Sequence, residues 1–283
     1  MATTTIPKSV PAPKKRAEGL AVMVRTILNS RTPLSMGIFY GALIALLLAA
    51  VYPAMSKANL GAYISSNLIS GLVGGHLTNF SSFTTILGLE LYSSFYGLLF
   101  GGIMAYIGGA AIPVTIENGT IDLALSRPIG RTRYYLESWV AVLICGAIIG
   151  LVTVLAVWVD TLIIKDAGID WQWLWITQFV QWAFFFFAAG LGMLLGSFIN
   201  ASRAAGGAAV GIIALGYLIN TFGSLSDQFN WLLKIGPFYY APAIDPLVNH
   251  QLTWWYPWVL VGAGLVLGIV GLVVFNKRDL PAV

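Results

Sequence analysis

The stretch Trp139 to Ile163, WVAVLICGAIIGLVTVLAVWVDTLI, holds a single charged residue, Asp160. A bilayer core about 30 Å thick is crossed by about 20 helical residues, so this stretch is long enough and apolar enough to span it. The run is continuously apolar instead of alternating, and a backbone in lipid must satisfy its own hydrogen bonds, which favours a helix over a strand. The sequence therefore predicts an all-α membrane protein.

The composition of the whole chain agrees with this reading. Its 283 residues are 58% hydrophobic and 9% charged, whereas a soluble domain carries roughly a quarter charged residues. Charged residues are so scarce that the intervals between them indicate the spans directly. Six intervals qualify, which predicts a polytopic protein with six transmembrane helices: Leu34 to Ser56, Leu91 to Ile112, Trp139 to Ile163, Trp173 to Phe198, Ala204 to Phe222 and Trp258 to Phe275.

The basic residues predict the orientation, because cytoplasmic loops are enriched in Lys and Arg. With six spans, twelve of the fifteen Lys and Arg residues lie on the same side of the membrane as the two termini. Only Lys57, Lys165 and Lys234 lie on the other side. Both termini are therefore expected in the cytoplasm, and the pI of about 9.2 is attributed to this sorting and to contact with anionic lipids, with no nucleic-acid partner. The polar start of the chain shows no removable signal peptide.

Three segments of different character are predicted around the spans. Residues 1–13 have almost nothing to bury and read as a disordered cytoplasmic tail. Residues 14–32 place apolar side chains at helical spacing opposite Lys15, Glu18, Arg25 and Asn29, which predicts an amphipathic elbow helix in the interface. The alternative is a cytoplasmic extension of the first span, against which Pro33 argues. Residues 33–283 then form the six-helix transmembrane domain.

Two outer loops, 57–90 and 223–257, are too interrupted to span. The second loop is rich in Tyr, Trp and Pro. Tyr and Trp favour the level of the lipid headgroups. Two structures would explain this composition of the second loop. One is an interfacial belt of aromatic residues with short broken helices, and the other is an outer gate that the aromatic side chains close. The sequence leaves both open.

The cytoplasmic loop 113–138, PVTIENGTIDLALSRPIGRTRYYLES, is the most informative region. Gly119, Pro128 and Gly130 interrupt it at short intervals. Between them, Thr120 can cap a short helix with Asp122 in its first turn, where an acidic side chain suits the helix dipole. Such a helix, held below the bilayer, is what a cytoplasmic partner would bind; the alternative is an ordinary solvated loop.

The segment Glu117 to Arg131, ENGTIDLALSRPIGR, resembles the cytoplasmic loop of type-2, mainly export, ATP-binding-cassette (ABC) permeases, in which an E-x-G-T-[IL]-[DE]-x-L-L-[ST]-x-P-[IV]-x-R pattern follows the second span. Ala124-Leu125 stands where two leucines are common, and Gly130 replaces a frequent Ser. The C-terminal Phe275 to Leu280, FNKRDL, is similar to the ending of many members, and the elbow and six spans are compatible with the family, so the likeness covers nearly the full chain.

This resemblance implies a permease subunit that pairs with a second permease, as a homodimer or heterodimer, and with two cytosolic ABC ATPases. The loop then acts as a coupling helix that rests in a cleft of the ATPase. The positions that match the motif are expected to face the ATPase or to shape the loop: Glu117, Gly119, Thr120, Asp122, Leu125, Ser126, Arg127, Pro128 and Arg131. The charged ones offer partner-specific contacts, while Pro128 and the glycines fix the loop's shape.

No catalytic, cofactor-binding or metal site is predicted on this chain. A phosphate-binding loop needs Gly-Lys followed by Ser or Thr, and the sequence contains no Gly-Lys pair, so ATP and Mg²⁺ are expected on the partner ATPase. His76 and His250 are too few for a zinc site and are expected to be solvated or interfacial. Cys145 has no histidine on its side of the membrane.

Two further features bear on transport. Glu90 and Asp160 fall at the outer ends of predicted spans and are expected to lie at the interface, which removes the usual signature of a proton-coupled carrier. Gly pairs four residues apart allow close helix packing, mostly within the subunit. These pairs are Gly97/Gly101, Gly192/Gly196, Gly207/Gly211 and Gly264/Gly268. By analogy with the family, one face, that of the fifth span, is expected to serve a permease dimer.

The sequence thus predicts the membrane subunit of an ATP-driven exporter in a prokaryotic plasma membrane. Two rivals stay open: an ATP-independent secondary transporter or channel, and an accessory subunit of a larger membrane complex. The transported substrate is not encoded in any motif of the chain.

Overall fold

The computed structural model describes residues 20–55, 82–92, 94–119, 130–164, 167–224 and 227–278. All regular secondary structure in these ranges is helical, which confirms the all-α prediction. The helices in chain order are α1 (Ala21–Asn29), α2 (Arg31–Met55), α3 (Phe83–Glu90), α4 (Ser94–Ala111), α5 (Pro113–Glu117), α6 (Arg131–Ile163), α7 (Trp171–Phe198), α8 (Ser202–Gly223), α9 (Asn230–Leu233), α10 (Ile244–Asn249) and α11 (Tyr256–Lys277).

Five of the described helices are long and apolar enough to cross a membrane: α2, α6, α7, α8 and α11. They coincide with the first, third, fourth, fifth and sixth predicted spans. The second predicted span coincides with α4, which is shorter at 18 residues. The chain is therefore a multi-pass membrane protein.

Helix α7 lies at the centre of the bundle, where it packs against α4, α6, α8 and α11. Glycine makes the contact between α4 and α7 close. A Cβ added at Gly108 of α4 would lie 2.7 Å from the carbonyl oxygen of Ala189 in α7, and one added at Gly196 would lie 2.7 Å from that of Gly109. The backbones of α4 and α7 consequently touch, as the small-residue spacing predicted.

Helix α1 is short and packs against α6 through its buried residues Val22 and Thr26. It ends at Asn29, so the break before α2 comes at Ser30, and Pro33 falls in the first turn of α2, where its missing N–H costs no hydrogen bond. Leu20, Val24 and Leu28 remain exposed. Residues 14–19 of the predicted elbow, like the tail 1–13, lie outside the described ranges.

The loop 223–257 is folded into short helical pieces rather than extended. Besides α9 and α10 it contains 3-10 turns at Asp227–Phe229 and Pro237–Tyr240. Phe238 of the second turn is buried, with its ring 4.8 Å from that of Phe184 and 5.7 Å from that of Tyr217. The loop therefore inserts one aromatic side chain between α7 and α8. Of the loop 57–90, residues 57–81 lie outside the described ranges.

The two acidic residues predicted at the interface behave differently. Glu90 is exposed, but Asp160 is fully buried, and neither of its carboxylate oxygens has a hydrogen-bond partner among the described residues. Asp160 lies at the spacing of Thr153 and Val157, both also fully buried, so it belongs to the face of α6 that packs into the bundle. The expectation of an interfacial Asp160 is thus corrected: this carboxyl group is buried in protein.

Candidate functional site

The candidate site is the basic end of the bundle, where α2, α6 and α8 begin and α4, α7 and α11 end. Of the nine positions expected to contact an ATPase or shape the loop, the structure describes Glu117, Gly119 and Arg131. The other six lie outside the described ranges: Thr120, Asp122, Leu125, Ser126, Arg127 and Pro128. The geometry therefore concerns the two flanks of the loop.

Glu117 anchors the first flank to the start of α8. One carboxylate oxygen of Glu117 accepts a hydrogen bond from the backbone N–H of Ser202 at 2.9 Å, and the other accepts from the Ser202 hydroxyl. The residue that precedes α8, Ala201, has no side chain that can cap the helix. Glu117 supplies that cap from a distant part of the chain, and its negative charge suits the positive end of the helix dipole.

Helix α5, which carries Glu117, has well-defined ends. Pro113 occupies its first turn, and Gly119 follows it with a φ of 60°, in the left-handed region where glycine is favoured. The N–H of Gly119 bonds to the carbonyl oxygen of Ile116 at 3.0 Å. Gly119 therefore ends the helix, while its part in contact with an ATPase stays a prediction.

Arg131 anchors the second flank to the chain's C-terminal end. Its Nη1 donates to the carbonyl oxygen of Arg278 at 2.8 Å. Arg278 in turn donates to the carbonyl oxygen of Ser197 at 2.9 Å and to Oδ1 of Asn200 at 2.6 Å. Both arginines thus place positive charge beside carbonyl groups at helix C-termini, where cations are favoured. The start of α6 is linked through them to the ends of α11 and α7.

The C-terminal motif reinforces this link. The side-chain amide of Asn276 donates to the Thr132 hydroxyl at 3.1 Å, and Phe275 is buried with its ring 6.0 Å from that of Tyr135. Sequence reasoning matched both the loop and the FNKRDL ending to one family but did not predict that they touch. The presence of both motifs in members of the same family was the one sign in the sequence that the two segments could be in contact.

These contacts tie both flanks of the loop to helices other than the two spans that the loop connects. The two flanks of the loop hold different helices, α8 through Glu117 and α11 with α7 through Arg131. Among the described residues, no group of three or more His, Cys, Asp or Glu side chains could hold a metal ion.

Comparison with known families identifies the chain. A family model described as ABC-2 family transporter protein matches residues 34–280. The chain belongs to the ABC-2 transporter family. The match includes both flanks of the loop and the C-terminal motif that the structure brings together. No curated protein sequence matches the chain.

Membership of the ABC-2 family defines the protein as the membrane permease component of an ABC transporter, a component that is generally not itself catalytic. The family also implies association with an ABC ATPase.

Proposed function

We propose that this ABC-2 permease is the membrane subunit of an ATP-driven exporter in a prokaryotic plasma membrane. It has six spans with both termini cytoplasmic, and α1 belongs to an elbow helix. Two copies, or this chain and a related one, form the translocation path and dock on two cytosolic ATPases. ATP binding closes the ATPases, residues 113–138 move with them, and the paired spans change the side to which the path opens.

The observation that carries this proposal is the anchoring of both flanks of the loop. Glu117 connects one flank to α8, and Arg131 connects the other to α11. A push on the loop would therefore reach two helices that are not its sequence neighbours. A loop that merely connected two spans would not need these contacts, which disfavours the reading as an ordinary solvated turn.

The surface of α8 supports assembly of two permeases. A Cβ added at Gly207 or Gly211 meets no atom within 4 Å, in contrast to the crowded glycines of α4 and α7. Ile212, Leu215 and Leu218 of the same helix are exposed. An open small-residue stripe beside large apolar side chains allows another helix to approach closely in the membrane.

Co-purification tests the function. The chain is expressed with an ABC ATPase from the same genome, and complex formation and transport-coupled ATP hydrolysis are measured for the wild type and for Asp122→Arg and Arg127→Glu. We expect both variants to lose coupled hydrolysis. Lys234→Glu, a charge reversal in the loop 223–257, is the matched control and should retain it.

The rivals give other results. If the chain never binds the ATPase, or if both loop variants keep full coupled hydrolysis, the assignment of the loop is wrong. Transport in vesicles that lack the ATPase would instead support a secondary transporter or channel, and binding of the ATPase with no transport cycle would support an accessory subunit.

A further inference from the structure

The two flanks of the loop 113–138 are also joined directly to each other. The hydroxyl oxygens of Thr115 in α5 and Tyr134 in α6 lie 2.8 Å apart, although the two residues are 19 positions apart in the chain. Both side chains are buried, at 4% and 2% exposed. The bond lies two residues from Glu117 and three residues from Arg131, which hold the flanks to other helices. It therefore closes the base of the loop.

The donor in this bond follows from the second contact of Thr115. The Thr115 hydroxyl also lies 2.7 Å from the carbonyl oxygen of Ile112, which can only accept. A threonine hydroxyl has one proton, so this proton goes to Ile112, and Tyr134 donates to Oγ1 of Thr115. Loss of the Thr115 oxygen would leave the buried Tyr134 O–H without this acceptor. That loss costs more than removal of the Tyr134 hydroxyl itself, since an unsatisfied buried donor bears the full desolvation penalty.

The position of Tyr134 is fixed independently of this bond. Its ring stacks on the buried ring of Phe275 in α11, with centroids 6.2 Å apart and planes at 25°. Its carbonyl oxygen accepts a hydrogen bond from the Ser138 hydroxyl at 2.9 Å. The hydroxyl is consequently the part of Tyr134 that reaches the other flank, and Tyr134→Phe removes this contact while keeping the stacked ring.

We infer that Tyr134 is a positioning residue that makes the two flanks of the loop move as one unit. Glu117 holds the first flank to α8, and Arg131 holds the second flank to the end of α11. If the flanks were not joined, a displacement of the loop could reach one of these helices without the other. With the flanks joined, α8 and α11 receive the displacement together. This inference rests on the proposed function, because it concerns how the loop moves when an ATPase displaces it.

The distance between the flanks tests the bond on the purified full chain without any ATPase. Spin labels are attached through Asn118→Cys and Arg133→Cys, at two exposed positions, with Cys145→Ala to remove the native thiol, and their separation is measured by electron paramagnetic resonance. We expect one narrow distance in this background. Thr115→Val, and to a lesser extent Tyr134→Phe, should add a population with separated flanks. One hydrogen bond corresponds to a change of up to about tenfold in that equilibrium.

Two variants serve as matched controls. Thr115→Ser keeps the hydroxyl and should retain the narrow distance, which separates the hydrogen bond from the threonine methyl group. Tyr92→Phe removes an equally buried hydroxyl outside the loop, one that donates to Oε1 of Gln178 at 3.1 Å, and should leave the flank distance unchanged. A single narrow distance in both Thr115→Val and Tyr134→Phe would overturn the inference.

The complex with the ATPase gives a second test. The flank distance of the otherwise wild-type chain should be the same before and after ATP is trapped with vanadate, because the flanks move together. Tyr134→Phe should still bind the ATPase, since Tyr134 is buried, but its flank distance should change on trapping. A change in the otherwise wild-type chain would overturn the inference while the ATPase-binding role stands. Failure to bind the ATPase would overturn the proposed function, and the isolated chain would still decide whether Tyr134 joins the flanks.

Discussion

Glu117 and Ser202 are joined through both carboxylate oxygens of Glu117, one on the backbone N–H and one on the hydroxyl of Ser202. The two residues are 85 positions apart. Glu117 leads into the loop that we propose to contact the ATPase, while Ser202 is the first residue of α8, the helix with the open glycine stripe. This contact therefore connects the proposed site of energy input to the proposed dimer face.

Removing this contact should destabilise α8. Loss of a helix cap costs about 0.5–2 kcal/mol, so Glu117→Ala should lower the unfolding temperature of the purified protein. Ser202→Ala removes only the hydroxyl contact and should have a smaller effect. The double variant should match Glu117→Ala alone, because the hydroxyl then has no carboxylate to lose. Ser224→Ala, at the other end of α8, is the control. Strictly additive effects would show that the two side chains do not act together.

The close packing of α4 on α7 predicts a strong effect of a single methyl group. Gly108→Ala places a Cβ 2.7 Å from a backbone oxygen of α7, and overpacking of this kind costs about 1–3 kcal/mol. Gly262→Ala, in α11, adds the same methyl group where nothing lies within 4 Å and should be neutral or slightly stabilising through its helix propensity. Thermal unfolding in detergent compares the two. Equal effects would contradict the described contact between α4 and α7.

Phe238 should act as a packing anchor for the loop 223–257. It is 6% exposed and fills space beside Phe184, so Phe238→Ala should cost about 3–5 kcal/mol. Phe229→Ala, at a residue 47% exposed in the same loop, should cost far less. Limited proteolysis and thermal unfolding would detect the difference. A loop that stays protected in Phe238→Ala would mean that this side chain does not hold it.

Asp160 should be a site where a polar substitution stabilises the protein. A carboxyl group buried without a hydrogen-bond partner is costly, because folding removes the water that would stabilise its charge, so Asp160→Asn, which carries no charge and keeps the shape, should raise the unfolding temperature. Asp170→Asn is the control: Asp170 is exposed and caps α7, a role that Asn fills equally well. A lower unfolding temperature for Asp160→Asn would reveal a partner for this carboxylate outside the described ranges.

The spans were predictable because water-facing positions carry nearly all the charge. The fourth predicted span, Trp173 to Phe198, differs from α7 by two residues at its start. The third predicted span begins at Trp139 and so leaves out the first eight residues of α6. The helix continues there beyond its apolar part, through Arg131 and Arg133, where hydropathy does not indicate a span. This part of α6 contacts α11, through hydrogen bonds from Arg131 to the carbonyl oxygen of Asn276 and from the Tyr135 hydroxyl to that of Gly268.

The site was only partly predictable for a related reason. The family motif identified Glu117 and Arg131, but their partners Ser202 and Arg278 follow 85 and 147 positions later. No local pattern encodes such distant pairs. The burial of Asp160 was missed in the same way, because a residue near a helix end is assigned to the interface unless one knows which face of the helix meets its neighbours.

The bond from Arg131 to the carbonyl oxygen of Arg278 sets an order of assembly. Arg131 begins α6, and its acceptor follows 147 positions later, directly after α11. This acceptor does not exist until α11 has been synthesised and inserted. A nascent polypeptide that has not yet reached α11 therefore lacks the second anchor of the loop, and both flanks are held only after that last helix is in place.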